Sequence, residues 1–220
     1  GRGVSASAVR GVGGRGARLY LRLFHRLRVE GAENIPPPPF VMVANHASHL
    51  DALTLVAALR GDAARRAVPL AAGDVFFARG TAAAFAAHVL NAVPVWRKRS
   101  RPKDVITLRE RLVEDGLVFV LFPEGTRSRD GSIAPFQPGI GALVAGSAVP
   151  VLPCHLDGAH ACWPPQRSWP RPGPLHLRIG APIAVADLAN DRAGWAEAAS
   201  RTEAAVRALA PASQGRDTPA

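Results

Sequence analysis

The chain has 220 residues, 48% of them hydrophobic, enough for one domain or at most two with a substantial buried core. Its net charge of +10, carried almost wholly by arginine, suits an anionic partner: a membrane surface, a phosphorylated small molecule or nucleic acid. Two cysteines, Cys154 and Cys162, exclude a disulfide framework and fit a reducing compartment, and no window reaches the roughly 18 to 20 uninterrupted apolar residues of a spanning helix.

The chain opens at Gly1 and its only methionine is Met42, so an upstream segment is expected to have been removed. Residues 1–16 are rich in glycine and arginine without an apolar block, which predicts a flexible basic arm and argues against a secretory signal. Over 17–29, Leu19, Tyr20, Leu23, Phe24 and Leu27 share one helical face, and Arg18, Arg22, His25 and Arg26 the other. This basic amphipathic helix suits either a membrane interface or a cover over the core. The proline run at 36–39 ends it, and the domain proper is expected over 35–210.

Within that domain, apolar runs predict strands at 40–44, 67–72, 92–96, 117–122, 149–155 and 175–179. Helices are predicted at 50–60, 74–90, 102–115, 138–146 and 187–210, with a disordered tail at 211–220. Alternating strands and helices imply an α/β fold: a mostly parallel central sheet flanked by helices, with ligands beyond the strand ends.

Three polar constellations follow strand ends. The first is Asn45, His46, Ala47, Ser48, His49, Leu50, Asp51. With Ser48 as N-cap, Asp51 completes a capping box, and the two do no more than tie down a helix end. Alternatively His46 lies before the helix and meets Asp51 as a base and its carboxylate, since within one helix a five-residue spacing would hold them apart. The second is Pro123, Glu124, Gly125, Thr126, Arg127, Ser128, where a glycine bend and a guanidinium suit an anion, or else form an ordinary charged turn. The third is Arg97, Lys98, Arg99 and Arg101, of which Arg97, directly at the strand end, best suits a ligand. Cys154, His155, His160 and Cys162 lie within nine residues, but without the paired short loops of a zinc site, so no metal is expected. The proline-rich residues 163–174, with Trp163 and Trp169, predict a long irregular loop that suits a packed surface or a lipid interface.

In order and spacing, residues 45–51, 93–97, 122–128 and 149–153 resemble the four sequence blocks of the glycerophospholipid acyltransferases, above all the 1-acylglycerol-3-phosphate acyltransferase family. The resemblance covers about residues 35–156. It implies the glycerolipid acyltransferase fold, His46 as general base and Asp51 as its orienter, with Asn45 and Ser48 supporting that block. It places Arg97, Glu124, Gly125, Thr126 and Arg127 at the acceptor's phosphate. The implied partners are a lysophospholipid acceptor, acyl-CoA or acyl carrier protein as co-substrate, and an anionic membrane surface on the cytoplasmic side. No cofactor and no nucleic acid are expected. The chain departs from many relatives in lacking a basic residue at 136–139 and a lysine near Ala72 and Gly73, which bears on the acceptor's head group. Two other readings are a non-catalytic lipid or peripheral membrane-binding protein of the same fold, and an acyltransferase acting on a different lysolipid.

Overall fold

The computed structural model describes residues 3–72, 93–95 and 102–211. Its central strands arise where the chain is uniformly apolar. β2, Phe40–Ala44, and β5, Val118–Leu121, are buried along their whole lengths, as strands covered on both faces must be. With β1 (Arg28–Glu30), β3 (Ala67–Ala72), β4 (Val93–Val95), β6 (Val151–Asp157) and β7 (His176–Ile179), they form one sheet in the order β1-β7-β6-β2-β5-β3-β4. Every pairing is parallel except β6 with β7.

Side chains alternate across this sheet into two cores. Phe40, Met42, Val118, Val120, Leu152 and Cys154 face one layer, packed by α2 (Asp51–Ala58), α3 (Gly61–Arg66) and the short α6 (Ala159–Cys162). Val41, Val43, Phe119, Leu121 and Val151 face the other, packed by α4 (Pro102–Glu114), α5 (Gly139–Val144) and α7 (Arg192–Ala208). The result is a single α/β domain, a largely parallel sheet between helices, as the alternation of elements predicts. α7 starts where Asp191 accepts from the Gly194 amide at 2.9 Å, an N-cap that trims the first turn from the predicted helix.

Besides the short α6, which no pattern marks, three elements differ from expectation. β1 carries charged, exposed residues and joins the sheet by pairing with β7. α3 fills the stretch between α2 and β3 that the pattern left open. The first helix, α1, runs from Gly3 to His25, so the expected arm at 1–16 is helical from Gly3 and the expected helix at 17–29 stops four residues early. Each glycine costs a helix about 1 kcal/mol relative to alanine, which is why this glycine-rich stretch reads as an arm in the sequence.

The orientation of α1 is the larger correction. Leu21 and His25 are fully buried, whereas Leu19, Leu23 and Phe24, from the apolar stripe, are 58%, 74% and 39% exposed. The cause lies at its C-terminal end. His25 O accepts from Leu175 N at 3.0 Å and Arg28 N donates to Leu175 O at 2.9 Å, so docking of β1 fixes the helix's rotation. His25 tolerates burial through Tyr20 Oη at 3.1 Å and edge contacts with the Tyr20 and Phe24 rings. Among the described residues no helix is long and apolar enough to cross a membrane. The predicted helix at 74–90, Arg97 and its neighbouring cations, and the tail beyond residue 211 lie outside the described residues.

Candidate active site

β6, β2 and β5 are parallel neighbours, so the loops after their C-terminal ends converge. This brings together residues more than 100 positions apart in the chain. Asn45 extends the β2–β6 pairing: its Nδ2 donates to Leu156 O at 3.0 Å and its Oδ1 accepts from Leu156 N at 2.8 Å. One residue later the chain leaves the sheet, and His46 stands beyond the strand end.

His46 Nδ1 lies 2.8 Å from Asp51 Oδ2. Asp51 is the first residue of α2 and almost wholly buried. The same oxygen accepts from the amides of Ala47 at 2.7 Å and Ser48 at 2.8 Å. One carboxylate thus ties the turn and touches the imidazole. The capping box itself is only half formed. Ser48 is not the N-cap; its Oγ accepts from Leu50 N at 3.1 Å and donates to Trp163 O at 2.7 Å. With Nδ1 facing a carboxylate, the imidazole is set to carry its proton there and leave Nε2 as the acceptor. Nε2 makes no hydrogen bond among the described residues, and the side chain keeps 21% of its surface open.

The segment after β5 grips the same turn. Phe122 stacks under the His46 ring, centroids 4.1 Å apart and planes 13° from parallel. Glu124 Oε1 accepts from His46 N at 2.7 Å and Oε2 from Ala134 N at 2.9 Å, while Ser128 N donates to His46 O at 2.7 Å. Both oxygens of Glu124 hold backbone amides, its side chain is buried, and burial pushes its carboxyl above the usual range. An anion that is itself a carboxylate's neighbour would be repelled, so the geometry makes Glu124 a bracket between loops. Gly125 sits at φ 74°, the left-handed region that glycine enters at little cost, and its amide donates to Phe122 O at 3.1 Å. That bend leaves Thr126 exposed, with no hydrogen bond among the described residues, and turns Arg127 toward the first loop. Arg127 Nη1 lies against both ring nitrogens of His49, 3.0 Å from Nε2. Partial burial, and then Arg127, hold the His49 imidazole below its usual pKa, so it accepts from the guanidinium as a neutral ring.

His46, Asp51, Asn45, Ser48, Glu124, Gly125, Thr126 and Arg127 are thus brought into one neighbourhood, and Arg97 falls outside the described residues. Phe122 under the His46 ring and His49 against Arg127 have no role in the sequence reading. An aromatic closing the strand before Pro123 and a second histidine two residues before Asp51 are the signals that point to them. Cys154 and Cys162 are free and buried, and among the described residues no three His, Cys, Asp or Glu side chains gather as a metal-ligand set.

Comparison with known proteins agrees with this arrangement. The family model described as Acyltransferase matches residues 26–157. The chain is 31% identical over 182 residues to mouse 1-acyl-sn-glycerol-3-phosphate acyltransferase alpha, covering 79% of this chain and 61% of that protein. It is 32% identical over 153 residues to a chloroplastic 1-acyl-sn-glycerol-3-phosphate acyltransferase of Brassica napus, covering 67% of this chain and 42% of the relative. It therefore spans about three fifths or less of the length of these curated relatives. The crystal structure of the 1-acyl-sn-glycerophosphate (LPA) acyltransferase PlsC from Thermotoga maritima superposes with a TM-score of 0.68 at 26% identity, covering 93% of this chain and 78% of that one. A histidine and a carboxylate paired at a strand end, a family model covering more than half the chain, and a shared fold agree: the chain belongs to the acyltransferase family.

Proposed function

We propose that this protein transfers a fatty acyl group from acyl-CoA or acyl carrier protein to the free hydroxyl of 1-acylglycerol-3-phosphate, giving phosphatidic acid. The observation that carries the reading is His46, with Nδ1 on buried Asp51 and Nε2 open. An alcohol is a weak nucleophile toward a thioester. Nε2 takes the hydroxyl proton as the oxygen–carbon bond forms, an effect worth about 10²- to 10⁴-fold. Asp51 holds the tautomer and stabilises the imidazolium. Collapse of the tetrahedral intermediate breaks the carbon–sulfur bond, and the imidazolium returns its proton to the departing thiolate. No acyl-enzyme forms: Ser48 Oγ is committed to Trp163 O and Leu50 N. The route consumes its thioester as co-substrate and calls for no cofactor or metal.

Arg127 and Thr126 grip the acceptor's phosphate, with Arg97 joining them by family resemblance, and so set the hydroxyl against His46. The acceptor resides in lipid, and the exposed Leu19, Leu23 and Phe24 of α1 rest on the cytoplasmic face of an anionic membrane. The test supplies purified protein and anionic vesicles with oleoyl-CoA and lysophosphatidic acid, following free thiol and lipid product together beside His46→Ala. Matched thiol and phosphatidic acid from the wild type, lost about 10²-fold or more in the variant, is the expected result. Thiol without phosphatidic acid, or full activity in His46→Ala, sinks the reading.

A further inference from the structure

We infer that the loop of residues 163–174 is a second lipid-docking element, a cationic wedge with Trp169 at its tip that seats the active-site end of the protein on an anionic bilayer. The inference deepens the membrane contact proposed above and shares its premise that the site works at a lipid surface. Trp169 is 79% exposed, more than any other large hydrophobic side chain among the described residues. Its loop is nonetheless well tied. Trp163 Nε1 donates to Arg167 O at 3.0 Å, Arg171 N to Cys162 O at 2.9 Å, and Gln166 Nε2 to Arg129 O at 3.3 Å. Pro164, Pro165, Pro170, Pro172 and Pro174 stiffen what lies between. A loop held this firmly, with its indole turned outward, keeps a large amphipathic side chain in water unless something else covers it.

The surroundings identify the cover. From Gly158 to Ala186 the chain contains no Asp or Glu, and none occurs before Glu30. Arg171 is exposed on the loop, Arg22 on α1 and Arg26 just after it, and Arg18 has Arg60, Arg15 and Arg22 as charged neighbours. The loop returns to α1 through Leu175 N and His25 O, and Arg26 lies close enough to act on the Cys162 thiol at the loop's base. The loop's two ends therefore adjoin the end of α1, and both elements carry exposed apolar side chains with arginines around them. That is the chemistry of an anionic head-group layer over acyl chains, where tryptophan and arginine settle together. The loop's base also holds the catalytic turn, since Trp163 O accepts from Ser48 Oγ at 2.7 Å and from His49 N at 3.2 Å. Docking the wedge thus sets the height of His46 over the lipid.

The experiment reads vesicle binding of the full chain, so it stands whether or not acyl transfer is found. Trp169→Ala should weaken partition onto phosphatidylcholine–phosphatidylglycerol vesicles about tenfold, whereas Trp169→Phe, which keeps an apolar ring, should stay within about threefold. Brominated acyl chains should quench part of the wild-type tryptophan emission, and that part should vanish in Trp169→Phe. Binding should weaken on pure phosphatidylcholine and with added salt. Unchanged partition in Trp169→Ala, or quenching unaltered in Trp169→Phe, overturns the inference. So does a loss of self-association in Trp169→Ala without any change in vesicle binding, which would make a second copy the occupant. If wild type binds vesicles through Trp169 yet releases no thiol, the acyltransferase reading fails and the docking reading survives.

Discussion

The two loops that make the site differ in how their polar groups are spent. In the turn after β2, Asn45, Ser48 and Asp51 are buried and hydrogen-bonded to backbone, and only His46 Nε2 is left over. In the loop after β5, Glu124 is buried in the same manner, but Thr126 is exposed and Arg127 leans on a histidine ring at the surface. The first loop is fixed before any ligand arrives, as the proposed proton transfer to His46 requires. The second is fixed at its root and open at its tip, which suits a group that closes on a phosphate.

Breaking the rigid loop should cost most. Asp51→Asn keeps the size of the side chain but can present an amide N–H to Nδ1, and should lower turnover about 10²- to 10⁴-fold. The orphaned turn should also lose about 1–3 kcal/mol of stability. Unaltered turnover at saturating substrate would detach Asp51 from the chemistry. Glu124→Ala comes next. It leaves His46 N and Ala134 N without acceptors, at about 1–3 kcal/mol for each buried group, so a denaturant midpoint should drop clearly. If Glu124 instead held phosphate, stability would be unmoved and only acceptor affinity would change. Arg127→Ala should raise the acceptor KM about 10- to 100-fold with stability within about 0.5 kcal/mol of wild type, and Arg127→Lys should recover only part.

The smallest effect is a pH slope. Burial lowers the imidazole pKa of His25, of His155 and, together with Arg127, of His49, from an ordinary 6.5. Each binds its proton more weakly folded than unfolded, so its contribution is complete above pH 6.5 and is lost as pH falls through the lowered values. Glu124 has the opposite sign: its raised carboxyl favours the fold at low pH and withdraws that help as pH rises through the folded value. Chemical denaturation from pH 7 to pH 5 should show net loss of stability in the wild type. His25→Gln should flatten the slope, and an unchanged slope would remove His25 from the account.

What could be read from the sequence follows the same division. Strands such as β2 and β5 announce themselves because burial on both faces demands unbroken apolar runs, and the turn between β2 and α2 shows as polar residues where packing expects none. β1 does not, because Arg28 and Glu30 look like loop and earn their place only through pairing with β7, some 148 positions away in register. The rotation of α1 was illegible for the same reason. Periodicity names its apolar face, but the Leu175 contacts decide which face meets the protein. Glu124 sits in a motif whose spacing marks a site, yet spacing does not say whether an oxygen points to a ligand or to the amide of His46.

Asn45 joins its side-chain amide to both backbone groups of Leu156, 111 residues downstream. The amide imitates a peptide unit and so acts as a latch between an early and a late part of the chain. During synthesis the turn of His46 and Asp51 emerges long before the segment that closes this latch. A ribosome-bound fragment that stops short of β6 therefore carries His46 and Asp51 without the strand that seats their loop.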